Sequence, residues 1–212
     1  RATPKTQSAL LEAMQEGTVT IGRKTYAMRQ PFFVMATQNP IEMEGTYPLP
    51  EAQLDRFLLK VQVGLPGKEE LKEVLSRTTD AVVPRTEKVI GVADAEEFRS
   101  FIRELLTVDN IKDFAVRLVM GTHPDHAGAP EIVRKYVRYG SSPRGAQALM
   151  VAGKVYAAMD GRLHVACEDV RRAAYPALRH RILPNFEGQA EGISTEKIIS
   201  ALLEATPDIE GK

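Results

Sequence analysis

The chain has 212 residues, 43% of them apolar, and its 28 Lys and Arg balance its 28 Asp and Glu. That length allows one large domain or two small ones, and the charge balance excludes a global electrostatic footprint for nucleic acid or for a basic partner. A single cysteine, Cys167, excludes an intramolecular disulfide and points to the cytoplasm, and Lys154 interrupts the longest small-and-apolar stretch, 146–159, so no membrane insertion is expected.

The chain opens on Arg1-Ala2-Thr3-Pro4, with neither an initiator Met nor a signal peptide, and reads as part of something longer. Thr3 is a candidate N-cap with Pro4 at the first helical position, and Leu10, Leu11 and Met14 give the helix an apolar face as far as Glu16-Gly17. Val19 and Ile21, a turn at Gly22-Arg23-Lys24, then Tyr26 and Met28 predict a projecting hairpin. Residues 32–36, Phe-Phe-Val-Met-Ala, form a short unalternated apolar run, the signature of a strand covered on both faces. It ends at Asn39-Pro40, and open α/β sheets place ligands at the carboxyl ends of their strands. A loop to Pro50, a short helix to about Arg56 and a second strand over 57–63 come next.

Gly64-Leu65-Pro66-Gly67 is the clearest composition break, and it sets the expected domain boundary between 1–66 and 67–212. Beyond it the periodicity is helical: 68–78; a helix with an Asp94/Glu97 capping-box-like start carrying Phe98, Phe101, Ile102 and Leu105; a helix carrying Phe114, Leu118 and Val119; one from Pro143 to Asp160-Gly161; one over 168–179 that Pro176 should kink or restart; and a last one carrying Ile198, Ile199, Leu202 and Leu203. The fold class expected is therefore α/β plus all-α.

Taken residue by residue, the chemistry is weakly marked. Asn39 reads as a strand terminator, Arg56 as a surface partner for Asp55 or Glu51, and Arg144 as a solvated arginine, although free N–H groups and the dipole of a Ser142-Pro143 helix start favour an anion beside it. His123, Asp125 and His126 do not make a closed ligand set, so no metal is assigned. Arg134, Lys135 and Arg138 with Tyr136 and Tyr139 could touch nucleic acid but read rather as a solvated face, and nucleic acid is not expected; Arg179, His180 and Arg181 could bind a partner but read rather as decoration of a helix end. Gly22-Arg23-Lys24-Thr25 mimics only the tail of a phosphate-binding loop: the earlier glycine is missing and the lysine is one place late.

Three longer motifs change the weighting: Ala36-Thr37-Gln38-Asn39-Pro40, then Glu44 through Phe57 with Leu54-Asp55-Arg56-Phe57 at its end, then Ser142-Pro143-Arg144. Together with Leu178-Arg179-His180-Arg181-Ile182 and Glu191-Gly192-Ile193-Ser194, they resemble MoxR-type AAA+ ATPases over essentially the whole chain. The resemblance implies the C-terminal half of an AAA+ P-loop-type α/β domain followed by a helical linker and lid, without the Walker A and Walker B segments. It implies Asn39 as sensor 1, orienting water at the γ-phosphate; Arg56 as the arginine finger acting on a neighbour's nucleotide; and Arg144 as sensor 2. It further implies ATP with Mg2+, a homo-oligomeric, usually hexameric, ring, chaperone-like remodelling of protein complexes, and partners with von Willebrand A domains.

Taken alone, the chain is expected neither to bind ATP tightly nor to hydrolyse it, an expectation that micromolar affinity in calorimetry would overturn. Rival readings are a chelatase- or helicase-type AAA+ motor, for which Arg23-Lys24 at the hairpin tip is the one basic hint, and a non-enzymatic interaction module. Two departures from the family pattern stand out. Ala166-Cys167 replaces a capping threonine and proline, losing about 1 kcal/mol of capping, and Gly145 replaces an alanine after Arg144, which should loosen that helix start.

Overall fold

A computed structural model of the chain describes residues 4–38, 49–81 and 85–208. Helix α1 (Pro4–Glu16) stops at Gly17, whose φ of 63° admits no side chain cheaply. The antiparallel hairpin comes next, β1 (Thr18–Ile21) and β2 (Lys24–Ala27), with Thr18 opposite Ala27 and Ile21 opposite Lys24. Its turn is two residues, one shorter than expected: Gly22 takes φ 65° at the first central position, which matches the twist of the strands, and Lys24 joins β2. Thr20 Oγ1 donates to Glu12 Oε1 at 2.7 Å and ties the hairpin back to α1. The expected cap Thr3 lies outside the described residues.

Neither expected strand forms a ladder. Residues 32–38 are irregular, with Phe33 79% and Met35 82% exposed, and 57–63 run without strand partners. An apolar run becomes a strand only where neighbouring strands take up its N–H and C=O groups, and no strand among the described residues pairs with 32–36. The 57–60 segment lies instead against a helix end, where Lys60 N donates to Pro176 O at 2.8 Å. Ahead of it, α2 (Glu51–Leu54) is one turn, continued by hydrogen bonds from Asp55 N to Glu51 O, Arg56 N to Gln53 O and Phe57 N to Leu54 O.

Helix α3 (Lys68–Thr79) begins where the Glu70 carboxylate accepts from Gly67 N at 2.8 Å. Helix α4 (Val92–Glu104) starts two residues before Asp94, because the Asp94 carboxylate reaches back to Gly91 N at 2.6 Å; Asp94 is the third helical residue, not the cap. The expected apolar face of α4 is largely exposed at Phe98 and Phe101, whereas Leu105 just beyond it is buried.

From residue 109 onward the elements are α5 (Asp109–Gly121), α6 (Glu131–Tyr136), β3 (Val137–Tyr139), α7 (Pro143–Met159), α8 (Cys167–Leu178), β4 (Leu183–Pro184), α9 (Phe186–Ala190) and α10 (Thr195–Ala205), and the hydrophobic core is drawn from α5, α6, β3, α7, α8 and α10 with the loops beside them. Phe114, Leu118, Leu149, Leu178, Ile198, Ile199 and Leu202 are fully buried there, each contributing roughly 1.5–3 kcal/mol. Helices α7 and α8 pack through small buried residues, among them Ala148, Ala152, Ala173, Ala174 and Ala177, which let their backbones approach. Helix α7 starts at Pro143 and yields at Asp160 to Gly161 with φ 73°, as its sequence requires. Helix α8 runs through Pro176 without restarting, close to its end, where the lost N–H removes a single bond. Short α6, α9 and the β3–β4 pair carry too few residues for a readable period. Among the described residues, no helix is long and apolar enough to cross a membrane.

Candidate functional site

The site is built from the end of α5 upward. Thr122, fully buried, accepts at Oγ1 from Ser141 N at 2.8 Å, and His123 Nε2 donates to Ser141 O at 3.0 Å. Gly140 fits against them because a Cβ there would lie 2.7 Å from the backbone carbon and oxygen of Thr122. This turn delivers Ser142 as the N-cap of α7, its hydroxyl accepting from Arg144 N at 3.1 Å.

The same hydroxyl donates to the Asp55 carboxylate at 2.8 Å, so a carboxylate carried by the turn after α2 sits at the N-terminus of α7, where the helix dipole favours an anion. Arg144 Nη1 donates to Asp55 Oδ2 at 3.1 Å and Arg181 Nε to Asp55 Oδ1 at 3.1 Å. Burial pushes the Asp55 carboxyl up, but the Ser142 and Arg144 hydrogen bonds and the Arg181 charge outweigh it and hold it below the usual carboxylate range. The two arginines differ in surroundings. The Arg144 side chain is 49% exposed and can swing, whereas that of Arg181 is 2% exposed.

Arg181 engages all its donors. Besides Nε, Nη2 donates to Asp55 O at 3.0 Å and Phe57 O at 2.7 Å, while Nη1 donates to Leu58 O at 3.1 Å and to Ala177 O. Beside it His180 Nε2 donates to Phe57 O at 2.9 Å; burial, against that bond, pulls the ring down to a pKa of about 4, and the Arg181 and Lys60 charges add to the shift. The reading of 179–181 as helix-end decoration is therefore corrected: His180 and Arg181 are buried and anchor the 55–58 backbone. Three consecutive polar residues after a helix look solvated in sequence, and only the packing of another segment over them makes them interior.

Of the three residues singled out for nucleotide chemistry, Arg144 is at the second position of α7 and Arg56 is half-buried in the turn that Asp55 begins, so both border one cluster. Asn39 lies outside the described residues. Asp55, read from sequence only as a partner for Arg56, bonds to Ser142, Arg144 and Arg181. Among the described residues, no group of three or more His, Cys, Asp or Glu could hold a metal ion; His126 Nδ1 accepts from Gly128 N. The basic-aromatic stretch is exposed at Arg134, Lys135, Arg138 and Tyr139, and its charges have neighbours within the chain: Lys135 pairs with Glu187 and Glu191, Arg134 bonds Ala127 O, and Arg138 stacks on Tyr139.

Comparison with known proteins bears on the same two segments. Residues 1–59 match the family described as ATPase family associated with various cellular activities (AAA), and residues 129–202 match the AAA lid domain. A candidate ATPase of Cytophaga hutchinsonii, known from its crystal structure, superposes with a TM-score of 0.92 at 40% identity over 100% of this chain and 64% of its own. An AAA portion followed by an AAA lid defines an AAA+ ATPase, here the C-terminal part of the α/β core and its helical lid. Chaperone MoxR1 of Mycobacterium tuberculosis is 40% identical over 96% of this chain and 54% of its own length. The uncharacterised YeaC of Bacillus subtilis is 42% identical over 97% of this chain and 62% of its own. The chain belongs to the MoxR family of AAA+ ATPases, and it spans little more than half to three fifths of the length of these relatives.

Proposed function

We propose that the chain serves as the sensing and trans-acting portion of a MoxR-type ring ATPase, residues 1–66 belonging to its core and 67–212 to its linker and lid. The observation that carries this reading is the meeting, around Asp55, of a lid arginine at a helix N-terminus with the turn bearing Arg56. Two guanidinium groups face one carboxylate there, leaving a cationic surplus at the start of α7 that fits a phosphate. Arg144, half exposed, exchanges Asp55 for a phosphate oxygen and so carries the state of the nucleotide into α7 and the lid. Arg56 reaches a neighbouring subunit's nucleotide, where its permanent, forked charge stabilises the charge spread across the transferred group. Asn39 orients the attacking water, since an amide both donates and accepts without adding charge. Bound MgATP would supply the phosphoryl group and its metal, with Arg144 the residue at the start of α7 placed to meet its phosphate. The outcome is chaperone-like work on protein complexes, in the cytoplasm, by a hexameric ring; partners with von Willebrand A domains fit such a role.

ATP turnover by the full-length protein tests this. Arg56→Ala should lower kcat by roughly 10³ or more, and mixing it with a subunit unable to bind nucleotide should recover part of the rate. Normal turnover by Arg56→Ala removes the finger assignment.

A further inference from the structure

In the sequence Arg181 looks like helix-end decoration, yet it makes the most demanding set of polar contacts among the described residues. All five N–H groups of its guanidinium are engaged, and four of the five acceptors belong to residues 55, 57 and 58, on either side of Arg56: Asp55 Oδ1 and O, Phe57 O and Leu58 O. The fifth, Ala177 O, is a last-turn carbonyl of α8. His180 adds a second bond to Phe57 O, and Lys60 N with Pro176 O extends the seam. The turn that carries Arg56 is thus held by the lid of its own chain and not by a sheet neighbour among the described residues. A planar fork reads several carbonyls at fixed angles, which fixes orientation as well as distance.

We propose that Arg181 is a positioning residue for Arg56: it locks the 55–58 turn to α8, so that the angle of a subunit's lid sets where its arginine finger stands against the neighbouring nucleotide. The inference rests on the reading of Arg56 as a finger acting between subunits. Because Arg144 shares the Asp55 carboxylate with Arg181, a phosphate that draws Arg144 away alters the charge balance of the same lock. A route then runs from the nucleotide a subunit binds, through its lid, to the finger it offers the next subunit.

Subunit mixing in the full-length protein separates this role from a structural one. Arg181→Met should lower kcat about 100-fold, the cost of misplacing a catalytic group by about 1 Å. Mixed with a subunit that cannot bind nucleotide but keeps its finger, Arg181→Met should regain turnover, because its intact site is served by the partner's finger. Mixed with Arg56→Ala it should stay inactive, because neither subunit then presents a finger. The reverse pattern, recovery in neither mixture by a protein that melts like the parent, or normal turnover of Arg181→Met alone each overturns the proposal. Should Arg181→Met fail to fold, Arg181→Lys takes its place: it keeps the charge, reaches at most three acceptors, and should show the same pattern with a smaller loss. Arg56→Ala run alone, and mixed with the nucleotide-blind subunit, reports separately on the finger reading itself.

Discussion

A buried charge is tolerated only when its partners stay in place, and Asp55 is where that condition bears hardest on this chain. Its carboxylate answers Arg181, whose side chain is 2% exposed, and Arg144, whose side chain is 49% exposed. Asp55→Ala would leave the buried Arg181 without its carboxylate and its Nε without an acceptor, costing about 2–4 kcal/mol. Arg144→Ala removes an exposed partner and should cost less than about 1 kcal/mol. Urea unfolding of the two variants checks the contrast, and equal losses would show that the lock does not depend on Arg181 being buried. Arg144 and Arg56 are visible in the sequence because they sit in recognisable motifs. The pairing of Asp55 with Arg181 is not, since nothing in a linear reading places residues 126 positions apart against one another.

For the elements, capping and periodicity determine where the lid helices run, and tertiary contact decides two glycines. Helix propensity alone makes Gly145 a weakness that alanine should improve by up to about 1 kcal/mol. In the fold, a Cβ at 145 would stand 2.0 Å from Ser141 Oγ and 3.2 Å from Leu178 Cδ2, so the buried Ser141 must turn away. Gly145→Ala should therefore melt no higher than the parent, correcting the expectation that this glycine merely loosens the helix. At Gly140 the obstacle is the backbone of Thr122, which has no rotamer to change, and Gly140→Ala should cost about 1–3 kcal/mol. Thermal melting of both variants decides; a clear gain at 145 or no loss at 140 would contradict the packing of this turn. The capping loss expected at Ala166 is offset in part, since the Asp169 carboxylate takes up Ala166 N at 2.8 Å.

Across the whole molecule, the joint between the 55–60 segment and the lid carries a pH dependence. His180 is neutral in the fold: Nε2–H faces a carbonyl, and Nδ1 is buried without a partner. Its pKa of about 4 lies below the ordinary 6.5, so protonation opposes folding. The stability this gives is complete above pH 6.5 and is lost as pH falls from 6.5 toward 4, on the order of 3 kcal/mol in total. Asp55, whose pKa is also lowered, adds its loss only below the ordinary carboxylate value of 3.8. Melting temperature should fall through the 6.5 to 4 window in the parent, and His180→Gln should flatten that fall; parallel curves would exclude His180 as the cause.

By itself the sequence determined the family, through the 44–57 motif and the Ser142-Pro143-Arg144 triplet, and it determined the lid helices, because amphipathic period and end signals are local properties. It also carried the apolar runs at 32–36 and 57–63, but not their state, since a strand exists only through the neighbours that pair with it. Tertiary structure alone decided that 57–60 lies along α8, that Asp55 occupies the anion seat at α7, and that His180 and Arg181 are interior. Those outcomes depend on which distant segment covers a given surface, and covering is what turns a polar residue from solvated decoration into the fastening of a site.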